Sequence, residues 1–426
     1  MKKRFVFVLL MSLLIAGCST STGAVETPPP LPSPTATEAI LFPTEEAEPS
    51  SSGPVTLKVW LPPEFGPASG GLAGELLQAR LDEFTNRRSN VRIEVRVKAV
   101  EGPGGMLDTL TTAAAAAPLA LPDLVALPRP ALESAAIKGL IRPLDGLTVS
   151  LDDPDWFEYA RQLSHIQNST FGIPFFGDAP ILVYRPSLIG AAPEDWDASL
   201  AITQTLAFPA ADPEGLVTLL YYQATGGSIL DEEGRPALES LRLTEVLTYY
   251  HQASMSSLMP LWITQFETDS QAWQAFQGNQ AQMVITWASR YLQNLPADAS
   301  GAPIPTLDGL PFTLATGWAW AMASTDPSRQ ALSAQLAEFL TASDFLAEWS
   351  LAAGYLPPRP SSLAAWSNVP LQTSMGQVAS SAVLIPPQDV LAILGPILQG
   401  ATLDVLKEQA DPVTAAEAAT ARLASP

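Results

Sequence analysis

Outside the carboxylates, side chains able to do chemistry are scarce in this sequence. One cysteine, Cys18, and two histidines, His165 and His251, stand among 426 residues. Those counts exclude an internal disulfide, a cysteine-based metal site, a His-rich metal centre and a Cys–His nucleophile pair. No G-x-S-x-G, H-E-x-x-H or P-loop motif is present. Two carboxylates could hydrolyse a glycoside, and acids are plentiful. The tight cluster Asp152, Asp153 and Asp155, just before Trp156, reads better as helix capping, because acids favour a helix N-terminus. The remaining candidates are aromatics at strand ends. Trp60 is followed by Glu64 and Phe65, and Trp287 by Arg290. A rigid ring beside polar groups offers a small molecule a flat apolar face, or holds a cation against its π-system. Nothing in this set calls for a cofactor or a metal.

The charge balance narrows the partners. There are 43 acidic against 22 basic residues, a net charge of −21. Nucleic acid would be repelled, and no polybasic patch is available to dock on an anionic membrane. Apolar residues make up 47% of the chain, and its length suits two lobes better than one small core.

The elements that must position these residues alternate between strand and helix. Val55, Leu57, Val59 and Leu61 alternate with Thr56, Lys58 and Trp60, which predicts a strand with Trp60 on the face opposite Val59 and Leu61. Helical spacing follows over 72–84, then a second alternating run over 91–98. Strand, helix and strand at this spacing form a βαβ unit, so a parallel sheet is expected. The pattern predicts further helices over 106–117, 270–277, 329–340, 344–353 and 401–423. Further strands are expected over 122–127, 171–174, 181–184, 281–287 and 317–322. Trp156, Trp196 and Trp349 fall on expected helices and read as packing residues, and Gly226-Gly227 reads as a turn.

The first 53 residues read differently. Lys2, Lys3 and Arg4 precede an apolar run over 5–15, then Ala16, Gly17 and Cys18, the order of a secretory signal. Leu14-Ile15-Ala16-Gly17-Cys18 resembles the bacterial lipobox, which implies cleavage at 17 and lipid on Cys18. Residues 19–53 are rich in Ser, Thr, Pro and Glu and contain no Lys or Arg, the composition of a disordered tether.

A series of motifs in order then resembles the family 1 extracellular solute-binding proteins, the sugar-type substrate-binding components of ABC importers. Val55-Thr56-Leu57-Lys58-Val59-Trp60 resembles the family's first strand, and residues 84–95 resemble its helix-to-strand step with Ser89 where proline is usual. Pro122-Asp123-Leu124-Val125 with 139–145, Gly172-Ile173-Pro174-Phe175 through Tyr184-Arg185, and Pro193-Glu194-Asp195-Trp196-Asp197 are similar to later family segments. So are Gly226-Gly227, the stretch 276–287, Gly317-Trp318-Ala319-Trp320-Ala321-Met322 and Gly354-Tyr355-Leu356-Pro357-Pro358-Arg359. The resemblance covers residues 55–365.

The resemblance implies an α/β fold of the two-lobe periplasmic-binding-protein type (type II-like), with a hinge and an interlobe cleft. The N-terminal pattern places residues 1–17 as signal peptide and 18–53 as lipidated cysteine and tether. Lobe 1 is expected over 54–178 plus 286–328, and lobe 2 over 179–285 plus 329–426. The ligand set the resemblance implies is Trp60, Glu64, Phe65, Asp178, Tyr184, Trp287, Arg290, Trp318, Trp320 and Tyr355. The implied function is capture of a small solute, a sugar or oligosaccharide, and delivery to ABC transporter permease subunits. The expected form is a monomer without enzymatic activity, extracytoplasmic and lipid-anchored to the cell membrane, at the cell surface or in the periplasm. Two alternatives stay open at this point: a secreted carboxylate-type glycoside hydrolase, and a binding protein serving a sensor.

Overall fold

The computed structural model describes residues 53–424. The expected signal peptide, Cys18 and all but the end of the expected tether lie outside the described residues.

Among the described residues twelve strands occur in chain order: β1 Val55–Leu61, β2 Val91–Val97, β3 Leu124–Pro128, β4 His165–Ile166, β5 Ser169–Thr170, β6 Ile173–Asp178, β7 Pro180–Tyr184, β8 Leu206–Ala207, β9 Met283–Trp287, β10 Ser300–Ala302, β11 Thr313–Met322 and β12 Ala382–Leu384. They form a first sheet in the order β12-β11-β3-β1-β2, with β6 also paired to β11, a second sheet in the order β10-β7-β9-β8, and the small hairpin β4-β5. β1 runs parallel to β2 and β3, whereas β11 is antiparallel to β3 and β6.

The alternation in β1 sorts its side chains to two faces, and both faces are covered. Leu57, Val59 and Leu61 pack with Leu77, Leu81 and Phe84 of helix Leu72–Asn86. Trp60 points the other way, into a cluster with Met106 and Leu110 of helix Met106–Ala116 and Leu132 of helix Arg129–Ile137. Helices on both faces are the usual setting of a parallel sheet, because each apolar face must be kept from water. The second sheet is backed by helix Asp269–Gln277. Beyond it lies a tyrosine-rich core in which Trp196 stacks on Tyr249 at 4.6 Å.

Three expectations are corrected. First, the single helix expected over 401–423 is two, Gln388–Leu406 and Pro412–Ala424. Between them Glu408 takes a left-handed φ of 55°, and Asp411 accepts the backbone N–H of Thr414 at 3.1 Å, restarting the helix ahead of Pro412. Helix Gln388–Leu406 is long and apolar enough to cross a membrane, yet Leu394, Leu398 and Val405 are buried against neighbouring helices. Second, the lobe boundaries move. β9 and β10 stay in the second sheet, so the chain returns to the first sheet between Ala302 and Thr313. Helices Pro327–Leu340 and Ser343–Ala353 pack on helix Leu72–Asn86 and belong with the first lobe, while Gln388–Leu406 and Pro412–Ala424 pack with helix Ser240–Met255 of the second.

Third, the Asp152–Asp155 segment does not cap a helix at Trp156, which lies in the loop before helix Glu158–Leu163. Asp153 and Asp155 instead hold Arg359, at 3.1 and 3.6 Å. The guanidinium also donates to the carbonyl of Thr341 at 2.9 Å and lies over the Trp156 ring at 3.7 Å. Its side chain is only 8% exposed, so removing it strips the buried Thr341 carbonyl of this donor and uncovers the Trp156 ring. Arg359→Ala should lower the free energy of unfolding by about 2 kcal/mol, measured by urea denaturation. A loss below about 1 kcal/mol would mean that the network is only as strong as a surface ion pair.

Candidate functional site

The chain leaves the first sheet at Asp178 and enters the second at Pro180. β9 runs antiparallel to β7 with Pro180 opposite Trp287, so the carboxyl end of β9 arrives beside the crossing. Helix Ala288–Asn294 begins at once, its entry fixed by a hydrogen bond from the Ala288 N–H to the Ala179 carbonyl at 2.8 Å. A cavity of about 260 Å³ opens here, lined by Asp178, Asp269, Trp287, Ser289, Arg290, Gln293, Thr316 and Tyr355. It sits where ligands of open α/β sheets are generally found, outside a strand's carboxyl end. A second cavity of about 140 Å³ shares Asp269 and Trp287 and adds Asp212, Glu214 and Glu267, with no lysine or arginine in its wall.

Two carboxylates organise the first cavity. Asp178 accepts the backbone N–H groups of Ser289 at 2.9 Å and Ala179 at 3.0 Å, and the Ser289 hydroxyl as well. Its carboxyl is enclosed, and burial drives its pKa upward. The bonds from Ser289 and Ala179 oppose that shift and the charge of Asp269 adds to it, leaving the group at about 7. Asp269 sits in the first turn of helix Asp269–Gln277, placed there by a capping box between Thr268 and Gln271. It accepts the Thr286 hydroxyl at 2.5 Å and pairs with Arg290 Nε at 2.9 Å. Arg290 also donates from Nη2 to Ser270 Oγ at 2.9 Å, which leaves Nη1 directed to no protein acceptor among the described residues. The Tyr355 hydroxyl is pushed up to about 12 by burial, with further contributions from the charges of Asp178 and Glu64, so it enters the cavity as a neutral donor and acceptor.

Of the residues singled out in the sequence, Asp178, Trp287, Arg290 and Tyr355 meet in this cavity. Glu64 is exposed on the Pro63–Phe65 turn, near enough for its charge to bear on Tyr355. Burial corrects Trp60 and Trp320, and the others lie outside this lining. Trp60 is 1% exposed inside the helix-covered face of the first sheet, its ring capped by Lys98 Nζ at 5.3 Å. Trp320 is fully buried against Phe175 at 5.0 Å. Phe65 is the hub of a buried aromatic cluster, in edge contact with Phe176, Trp349, Trp318 and Tyr355 at 5.0–5.9 Å. Trp318 is half-buried on that cluster. Tyr184 lies at the wrong end of β7: the register that puts Pro180 beside Trp287 puts Tyr184 beside Met283. Sequence reasoning missed Asp269, Ser289, Gln293 and Thr316. Only Asp269 had a local signal, the T-x-x-Q capping pattern at 268–271.

Comparison with known proteins follows the same outline. The sequence profile described as "bacterial extracellular solute-binding protein" matches residues 79–373. No curated protein sequence matches the chain. Among solved structures, the sugar-binding protein MalE from the phytopathogen Xanthomonas citri superposes with a TM-score of 0.71 at 17% identity, over 87% of this chain and 96% of that one. Maltose-bound MalE3 of T. maritima gives 0.64 at 19% identity, over 87% and 99%. An ABC transporter solute-binding protein from Thermotoga lettingae bound with α-D-tagatose gives 0.61 at 19% identity, over 87% and 98%. At these identities the shared property is the fold, two α/β lobes around a cleft.

Two outcomes follow from the geometry. Trp320→Ala and Trp60→Ala should each cost about 3–5 kcal/mol of stability in urea denaturation, whereas Trp287→Ala should cost under about 1 kcal/mol. Equal losses for all three would return Trp287 to the core. Asp178 supplies the second. An acid whose pKa is raised on folding keeps its proton over a range where the unfolded chain has lost it, so stability falls as pH rises from about 4 to the folded value of about 7. Asp178→Asn should flatten that part of the pH–stability curve, and an unchanged slope would assign it to other groups.

Proposed function

Since this chain belongs to the bacterial extracellular solute-binding proteins, we propose that its cleft captures a sugar and presents it to an ABC importer, with the protein held to the outer face of the membrane by lipid on Cys18. The observation that carries the reading is the composition of the cavity at the crossing. Trp287 and Tyr355 supply flat apolar surface, while Arg290 Nη1, Gln293, Thr316 and the carboxylates supply donors and acceptors for hydroxyl groups. The solutes named for structures of similar fold, maltose and tagatose, are of that class. Solute contacts from both lobes favour the closed arrangement, which a permease can then recognise. Delivery to a permease, a monomeric state and the anchor belong to this proposal.

Capture without turnover fits the site better than hydrolysis. Asp178 has the raised pKa of a general acid, but its oxygens already accept three protein donors, and Asp269 is engaged by Arg290 and Thr286. A second reading has its own support: the smaller cavity beside Trp287 is walled by Asp212, Glu214, Glu267 and Asp269, which suits a quaternary ammonium solute held by cation–π attraction.

A thermal-shift screen of residues 54–426 against neutral oligosaccharides, polyols, amino acids and betaines separates these readings. A solute at about 100 times its Kd should add about 2.7 kcal/mol of stability. A saturable shift with a neutral sugar, lost in Trp287→Ala, supports sugar capture. A shift with betaines alone moves the assignment to a cationic solute. Release of new reducing ends from a bound glycoside would replace capture by hydrolysis.

A further inference from the structure

We propose that Ser289 and Gln293 are positioning residues: they clasp the first lobe to both ends of helix Ala288–Asn294 of the second and so set how tightly the cleft holds its solute, an inference that rests on the capture reading above. The helix belongs to the second lobe, following directly on β9 and packing on β7 and β9. Both of its grips on the first lobe come from one edge, because residues four apart share a helix face.

At its start, Ser289 gives its backbone N–H and its hydroxyl to Asp178, the last residue of β6 in the first sheet. One turn later, Gln293 Nε2 donates to the carbonyl of Ala353 at 3.2 Å. Ala353 ends helix Ser343–Ala353, which packs on helix Leu72–Asn86 of the first lobe. The Gln293 amide also faces the Tyr355 hydroxyl, a wall of the cavity. The approach is so close that only glycine fits at 354. A Cβ there would lie 2.4 Å from Gln293 Cγ and 3.0 Å from its backbone nitrogen, and the residue has a left-handed φ of 71°.

Arg290 and Trp287 occupy the adjoining side of the same segment and, like Ser289 and Gln293, line the cavity. A change in lobe angle must therefore work against the bonds that Ser289 and Gln293 make to the first lobe, beside the groups a solute would meet. With both grips in place the helix is a fixed pivot and few lobe angles are populated before solute arrives. Without them more angles are populated, and binding has to order them, which costs affinity.

The test uses the full chain carrying Cys18→Ser, with spin labels at Thr111→Cys and Met255→Cys, one exposed position on each lobe. In the unliganded Ser289→Ala/Gln293→Ala variant the interlobe distance distribution should broaden. Affinity for maltotetraose should fall about ten-fold, the effect of losing hydrogen bonds of ordinary strength. Ser289→Thr, which keeps the hydroxyl, should restore most of the single-site effect of Ser289→Ala. An unchanged distance distribution in the double variant overturns the clasp. If the parent protein fails to bind maltotetraose, the sugar reading suffers, but the unliganded distances still decide the clasp. Should the double variant fold poorly, Gln293→Ala alone, at an exposed hydrogen bond, gives the same readout.

Discussion

Only Ala179 stands between the last residue of β6 and the first of β7, and that short crossing constrains everything around it. A strand that ends one sheet and, after a single residue, begins another cannot leave its polar backbone groups to chance. The Ala179 N–H goes to the Asp178 carboxylate and its carbonyl takes the N–H of Ala288. Those two bonds dictate where β9 ends and where the following helix starts. Trp287, Ser289 and Arg290 reach the cavity because the crossing is pinned, and the antiparallel register of β7 and β9 carries the same constraint through the second sheet.

On the first-lobe side a buried aromatic cluster supports the cavity from behind. Phe65, Phe175, Phe176 and Trp349 meet at centroid distances of 4.1–6.3 Å. Tyr355 packs on Phe176 at 4.2 Å and turns its hydroxyl toward the cleft. Rings packed in this way lose little further freedom when a ligand arrives, so the wall they form is ready before binding. The polar wall is ordered differently, by carboxylates that hold Ser289 and Arg290 in place.

Local pattern carried the elements and the family, and stopped short of the site. The alternation of Val55 to Leu61 specified β1 and the faces of its side chains, but not that Trp60 faces helices instead of solvent, because burial on the second face depends on segments at 106–116 and 129–137. Trp287 was legible as a ring at a strand end. Tyr184 was misplaced because strand direction, and hence which end meets the crossing, follows from pairing with β9. The helices after residue 326 were visible as helices, whereas their division between lobes depends on contacts with residues 72–86 and 240–255, far away in sequence. Ser289 and Gln293 are ordinary polar residues on a seven-residue helix, and only the three-dimensional arrangement sets them apart.

The distribution of indoles has an optical consequence. Of the ten tryptophans, Trp60, Trp156, Trp196, Trp273, Trp320, Trp349 and Trp366 are sealed in the interior, and their emission forms a steady background. Trp262, Trp287 and Trp318 keep partial contact with solvent, and of these three only Trp287 lines the cavity. The protein thus carries a single indole at its own mouth, set beside a guanidinium and two carboxylates whose local field shifts whenever water there is replaced by another molecule.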